Sequence, residues 1–374
     1  MDFEFSFVPI YHYADVYYFV IMVFVIMAIY QCHSQQILRS DVAALNSSFA
    51  IFLTVAIILY IGFRPIVVNF GDTISYAKGF YSLQDEGYQY RPHFAREWLF
   101  SNLLGFCATY STIRMFFLIC AVIYVGALSL ALRQIFGIYF YVPLLVFLSM
   151  FTFWSYGVNG IRNGVASSLF ILALANINRP LLAAFLAYCS IGFHKSMWLI
   201  VVAAAVAWFI KNSYLYIAGW LLSILISFFA GMTLQTFISN LGFIQDDSRF
   251  QGYLTGSNDV DSNLSTMTFR WDFIAFSGLG IAFGWYFIMR RKYKDEFYIW
   301  LFNMYCLANA FWIIVIRATY SNRIAQISWF ILPLVMAYPT SKKRFWTDHE
   351  KYMGYAIIIM YGFNFYYNIW QLRH

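Results

Sequence analysis

Arg162 sits in the segment Asn159-Gly160-Ile161-Arg162-Asn163-Gly164, between an apolar run over 139–156 and another over 165–175. A guanidinium stays charged at any physiological pH. Placing one near hydrocarbon costs about 3 kcal/mol even on the gentler insertion scales. Such a residue either faces a water-filled cavity or polar partner, where it can bind an anion, or snorkels to lipid headgroups. Gly160 and Gly164, four residues apart, keep one helix face small enough for a backbone or ligand to come close.

Other residues extend the anion-binding theme. Arg64 precedes Pro65 at the end of an apolar span, and Arg323 opens another in Ser321-Asn322-Arg323, near Arg317 and Tyr320. The planar fork of arginine matches phosphate oxygens; headgroup anchoring is the plainer alternative for Arg64 and Arg323. His194, in Gly192-Phe193-His194-Lys195-Ser196, is the natural titrating group. The like charge of Lys195 favours its neutral form, which can accept a proton. Asp72 and Glu97 are the carboxylates that could take a proton from a sugar hydroxyl, or else pair with Arg64, Arg91 or Arg96. No P-loop, dinucleotide fingerprint or HExxH segment is present, and no pair of the five cysteines has metal-ligand spacing.

These residues must be held by helices in a bilayer. The chain is 62% hydrophobic and 11% charged, with mean hydropathy +0.65, against roughly 25% charged residues in a soluble globule. The fold class is therefore all-α, a polytopic integral membrane protein with about 10–12 transmembrane helices in one membrane domain over 1–374. Apolar runs place spans near 17–30, 48–63, 113–132, 139–156, 165–177, 214–232, 273–289, 297–316, 324–338 and 353–370. Two stretches are ambiguous: 96–110, which spans or lies in the interface as an amphipathic helix, and 181–210, interrupted at His194. The net charge of +7 gathers in basic loops near 290–296 and 341–351, as expected of cytoplasmic loops, so nucleic acid is not implied. Loops near 64–97 and 233–271 then lie outside. The second carries Asp246, Asp247, Asp259 and Asp261, with Phe250, Tyr253 and Trp271 as rings that could stack on sugars.

Parity allows two threadings. In the first, 96–110 lies on the outer surface and 181–210 is a hairpin with His194 and Lys195 at its outer tip. Arg64, Asp72, Arg91, Glu97, Arg162, His194, Lys195, Arg317 and Arg323 then share the outer face. In the second, both stretches cross once, which puts Arg162 inside and His194-Lys195 at mid-membrane. The first is preferred because it buries no lysine.

Phe63-Arg64, then Gly71-Asp72-Thr73 and Tyr76, Glu97 opening an amphipathic stretch, Asn159-Gly160-Ile161-Arg162, Phe193-His194-Lys195-Ser196 and Asn322-Arg323 together resemble the EpsG/Wzy-type polysaccharide polymerases of bacterial membranes, over roughly 60–335. The resemblance implies a GT-C-like glycosyltransferase membrane fold in the bacterial inner membrane. It also implies an outer-leaflet polymerase of undecaprenyl-pyrophosphate-linked glycan units, making O-antigen or exopolysaccharide without a cofactor or metal. The alternatives kept beside it are an O-antigen ligase or other lipid-linked glycosyltransferase, and a lipid-linked oligosaccharide flippase or transporter. Carried over by position, Arg162, Arg323 and Arg64 would hold the pyrophosphate, and His194 or Glu97 would receive the acceptor proton. Asp72, Asn159, Arg91, Lys195 and Arg317 would contact substrate. Membrane lipids and a chain-length regulator protein are the other expected partners.

Overall fold

The computed structural model describes residues 8–95, 97–239, 269–317 and 321–368, and among them it is all helical. The chain falls into two compact units, one of Met1–Met197 with Thr340–His374 and one of Trp198–Pro339, where the sequence reading takes a single membrane domain.

The first unit holds α1 (Tyr13–His33), α2 (Ser40–Gly62), α3 (Thr73–Asp85), α4 (Trp98–Tyr110), α5 (Ile113–Phe136), α6 (Tyr141–Ser149), α7 (Phe151–Val158), α8 (Ile161–Ala175) and α9 (Pro180–Phe193). The starts of these helices are written locally: the Thr112 hydroxyl accepts from Met115 N–H ahead of α5, and Pro180 opens α9, where its missing N–H costs nothing. The second unit holds α10 (Trp198–Phe209), α11 (Ser213–Ser239), α12 (Trp271–Trp285), α13 (Glu296–Ile314), α14 (Ser321–Trp329) and α15 (Leu332–Lys342), whose last residues cross into the first unit; α16 (His349–Tyr366) closes the first unit. In the second unit, fully buried Asn309 ties three helices to α13. It donates to the Ser277 and Ser328 hydroxyls and accepts from the Trp220 indole.

Seven helices among the described residues are long and apolar enough to cross a bilayer, or eight if one bent pair counts as a span; three more apolar helices are shorter. The bent pair is α6 and α7. The sequence reads 139–156 as one span, but the axis turns by 72° at Met150, which is extended (ψ 136°). The restart of the helix is supported from α16: the carboxamide of fully buried Asn364 accepts the Phe151 N–H at 2.9 Å. A partner 213 residues away leaves no local mark of the break. Part of the segment expected as an outer loop at 233–271 is helical, because α11 continues to Ser239 and α12 begins at Trp271. The acidic residues and the Phe250 and Tyr253 rings assigned to that loop lie outside the described residues, as does Arg96.

Helix α4 has 13 residues, about 20 Å at 1.5 Å per residue, too short for a 30 Å core. The stretch 181–210 breaks where expected: α9 ends at Phe193, His194 is extended, and a single 3-10 turn over Lys195–Met197 precedes α10.

Candidate active site

Three helix ends in the first unit meet at one carboxylate. Glu97 immediately precedes α4, Arg162 lies in the first turn of α8, and His194 follows the last residue of α9. Glu97 Oε2 accepts from Arg162 Nη1 at 2.5 Å and Glu97 Oε1 contacts His194 Nδ1 at 2.5 Å. The side chains are 10% (Glu97), 20% (Arg162) and 18% (His194) exposed, enough for a ligand to touch them but not for water to screen them. Of the two threadings, the first puts Glu97 and Arg162 on the same side of the membrane and the second puts them on opposite sides.

Glu97 has φ 54°, in the left-handed region that non-glycine residues avoid. Such a conformation costs about 1–3 kcal/mol and persists where surrounding contacts over-determine it. Here the Arg162 and His194 contacts supply that constraint. A carboxylate at the start of a helix is further favoured by the α4 dipole.

Arg162 is fixed on three sides. Besides Glu97, its Nε donates to the Tyr76 hydroxyl at 3.3 Å, and its guanidinium carbon lies 5.6 Å from the Tyr76 ring centroid and 5.5 Å from that of Phe100. A cation between two ring faces, with its rotamer locked, is prepared to receive an anion without reorganising. Neither ring was assigned a role from sequence. The signal available was spacing: Tyr76 stands three residues after Thr73 on α3, and Phe100 three after Glu97, each one helical turn along.

The charges within the cluster are set by mutual contact. Burial pushes the Glu97 carboxyl up, but the His194 hydrogen bond and charge and the Arg162 guanidinium outweigh it and hold the group at about 2. Burial lowers the proton affinity of His194; the Glu97 bond and charge oppose this only in part, and Arg162 and Lys195 add to the lowering. An ionised Glu97 can only accept, so Nδ1 of neutral His194 carries the proton and Nε2 bears the lone pair. The sequence left His194 and Glu97 as alternative proton acceptors. The geometry gives them different parts, with His194 able to take a proton and Glu97 fixing its tautomer.

The other expected site residues divide into those near the cluster and those elsewhere. Asn159 is turned towards the protein: its carboxamide oxygen accepts the Asp72 backbone N–H at 2.8 Å. Gly71, with φ +56°, lies against the same carboxamide, which a Cβ would overrun. Arg64 departs from the expected pyrophosphate contact. It is 4% exposed, donates to Ile61 O at 2.7 Å and to Thr73 Oγ1 at 3.0 Å, and lies 4.5 Å over the Phe117 ring. A guanidinium enclosed in this way cannot present its fork to a ligand. Arg91 is exposed in the loop between α3 and α4, and Lys195 is half-buried beside His194. Arg317 and Arg323 belong to the second unit, where Arg317 follows α13 and Arg323 lies in the first turn of α14.

A family model for the EpsG family matches residues 47–374. The chain belongs to the EpsG family. The match takes in every residue of the Glu97 cluster and makes the chain a polysaccharide-polymerase-type protein of a bacterial membrane. No curated protein and no solved structure matches it.

Within this EpsG-family chain, Arg162→Lys tests whether the fork or only the charge is needed. A lysine carries its three donors on one nitrogen, so it cannot reproduce the planar fork by which Nε reaches Tyr76 and Nη1 reaches Glu97. Glycan extension, measured at matched protein level in membranes, is expected to fall about 100-fold, the scale of losing one fixed donor to developing charge. Wild-type polymer lengths in this variant would reduce Arg162 to a lipid anchor.

Proposed function

We propose that the chain is a glycosyltransferase that joins glycan units carried on undecaprenyl pyrophosphate, at the outer leaflet of the bacterial inner membrane. The observation that carries this reading is the single carboxylate bridging a fixed arginine and a histidine whose other ring nitrogen bears a lone pair. In the proposed step, His194 Nε2 takes the proton of the acceptor hydroxyl as that oxygen attacks the anomeric carbon of the growing glycan. The carbon–oxygen bond to the lipid pyrophosphate breaks, a glycosidic bond forms, and the departing diphosphate carries the electron pair towards Arg162. The proton leaves His194 to solvent. Glu97 stays ionised throughout and offsets the imidazolium that forms. No nucleotide sugar enters this sequence. The outer-side assignment is supported by the basic loops near 290–296 and 341–351, which the positive-inside rule puts in the cytoplasm, and by the Glu97–Arg162 contact, which the first threading allows.

The bend between α6 and α7 favours a second reading, a transporter of lipid-linked glycan, because broken helices often line transport sites. Transporters of that kind carry the feature in paired repeats, and one bent pair is found among the described residues. The polysaccharide of cells lacking this chain separates the readings. Loss of a polymerase leaves carriers bearing one unit on the outer side. Units trapped inside would establish the transporter and overturn the polymerase reading, and full-length polymer left unattached would point to a ligase.

A further inference from the structure

The Arg162 cluster is held in place by a second, fully internal set of polar contacts. Thr73, the first residue of α3, is completely buried; its hydroxyl accepts from Arg64 Nη2 at 3.0 Å and donates to the Val158 carbonyl at 2.6 Å. Arg64 in turn is anchored to the end of α2 through Ile61 O. The hydroxyl therefore ties the last residue of α7 to the end of α2 and to the start of α3. Both elements it fastens lead directly to Arg162: Tyr76 lies one turn along α3, and Arg162 itself lies four residues after Val158. The Asp72 N–H bond to Asn159 runs parallel to this tie.

We propose that Thr73, held by Arg64, is a positioning residue: it sets the orientation of the Arg162 guanidinium by fixing Tyr76 on one side and the α7–α8 connection on the other. The proposal rests on the glycosyltransferase reading. The hydrogen bonds of the Thr73 hydroxyl go to Arg64 and to the Val158 carbonyl rather than to Glu97, Arg162 or His194, so its effect passes through the elements that hold Arg162. A hydroxyl that both donates and accepts cannot be replaced by a methyl of the same shape, because Val158 O and one arginine donor are then left unpaired in the interior. The end of α7 then relaxes relative to α3, and the guanidinium loses its alignment.

The test compares Thr73→Val and Thr73→Ser in purified full-length protein in lipid nanodiscs, with the lipid-linked glycan extracted from cells lacking this chain as substrate. Thr73→Val is expected to lower kcat about 10- to 100-fold, the scale on which a displacement near 1 Å acts, with KM within a few-fold of wild type. Thr73→Ser, which keeps the hydroxyl, is expected to restore most of kcat. Rates are taken per molecule of monodisperse protein, so a variant that folds poorly is not mistaken for a slow one. A Thr73→Val protein too unstable to purify, or one whose kcat is unchanged, overturns the proposal, as does equal loss in valine and serine variants. A second comparison guards against an indirect fold effect: with Tyr76→Phe already in place, Thr73→Val should cost far less than in wild type, because both act on the same guanidinium. Fully additive losses also overturn it. If the wild-type protein fails to extend the extracted glycan, the glycosyltransferase reading fails rather than the role of Thr73.

Discussion

A Glu97→Gln protein is expected to reach the membrane and to extend glycan about 10²–10⁴-fold more slowly than wild type, the range associated with losing a positioned proton acceptor. Two effects act together. The carboxylate is the group that obliges His194 to carry its proton on Nδ1, and an amide can turn its NH2 towards that nitrogen instead. Arg162, 20% exposed, is meanwhile left facing an amide where it had a counter-charge. Removing one partner of a buried ion pair costs about 3–5 kcal/mol. Glu97→Asp supplies the control: it keeps the charge but is one methylene too short to reach both partners. The rate for each variant is measured on extracted lipid-linked glycan at matched protein level. Wild-type extension by Glu97→Gln would show that the Arg162–Glu97–His194 contact is structural and that the chemistry lies elsewhere.

The pH profile of kcat/KM should show an acid limb set by His194, and lying below the usual imidazole value near 6.5. The sign follows from the environment. Burial, helped by Arg162 and Lys195, disfavours the imidazolium, so the neutral form needed to accept a proton persists to lower pH than in a free histidine. Activity is then present above the limb and lost as pH falls through it. Glu97 does not titrate in this range. Its carboxyl is held at about 2, so the stability its charge contributes is complete above the ordinary carboxylate value and is lost only as pH falls towards 2. Lys195→Gln removes one like charge from beside His194 and should move the acid limb upward; His194→Ala should abolish the limb together with most of the rate. An unmoved limb in Lys195→Gln, with His194→Ala within a few-fold of wild type, would remove His194 from the proton-transfer step.

Several features of this protein are fixed locally and could be read from the chain. Apolar run length gave the membrane class and most helices, because the cost of exposing polar backbone to lipid is settled segment by segment. The interruption at His194-Lys195 and the shortness of α4 were legible for the same reason, since both show where an apolar run ends. The set of ionisable groups worth attention was also legible: an arginine or histidine at the end of an apolar run carries a cost that something must offset.

Which of those groups meet was decided only by tertiary structure. Glu97 and Asp72 looked alike as carboxylates, and Arg64 and Arg162 alike as arginines at span ends. The fold brings Glu97 to Arg162 across 65 residues and to His194 across 97, turns the Asp72 backbone to Asn159, and encloses Arg64 against Phe117. The Tyr76 hydroxyl on Arg162, 86 residues away, and the break at Met150 supported by Asn364 belong to the same class. Hydropathy is a property of each segment and survives in sequence. The choice of partner for a charge depends on the distance and direction between helix ends, which packing alone sets.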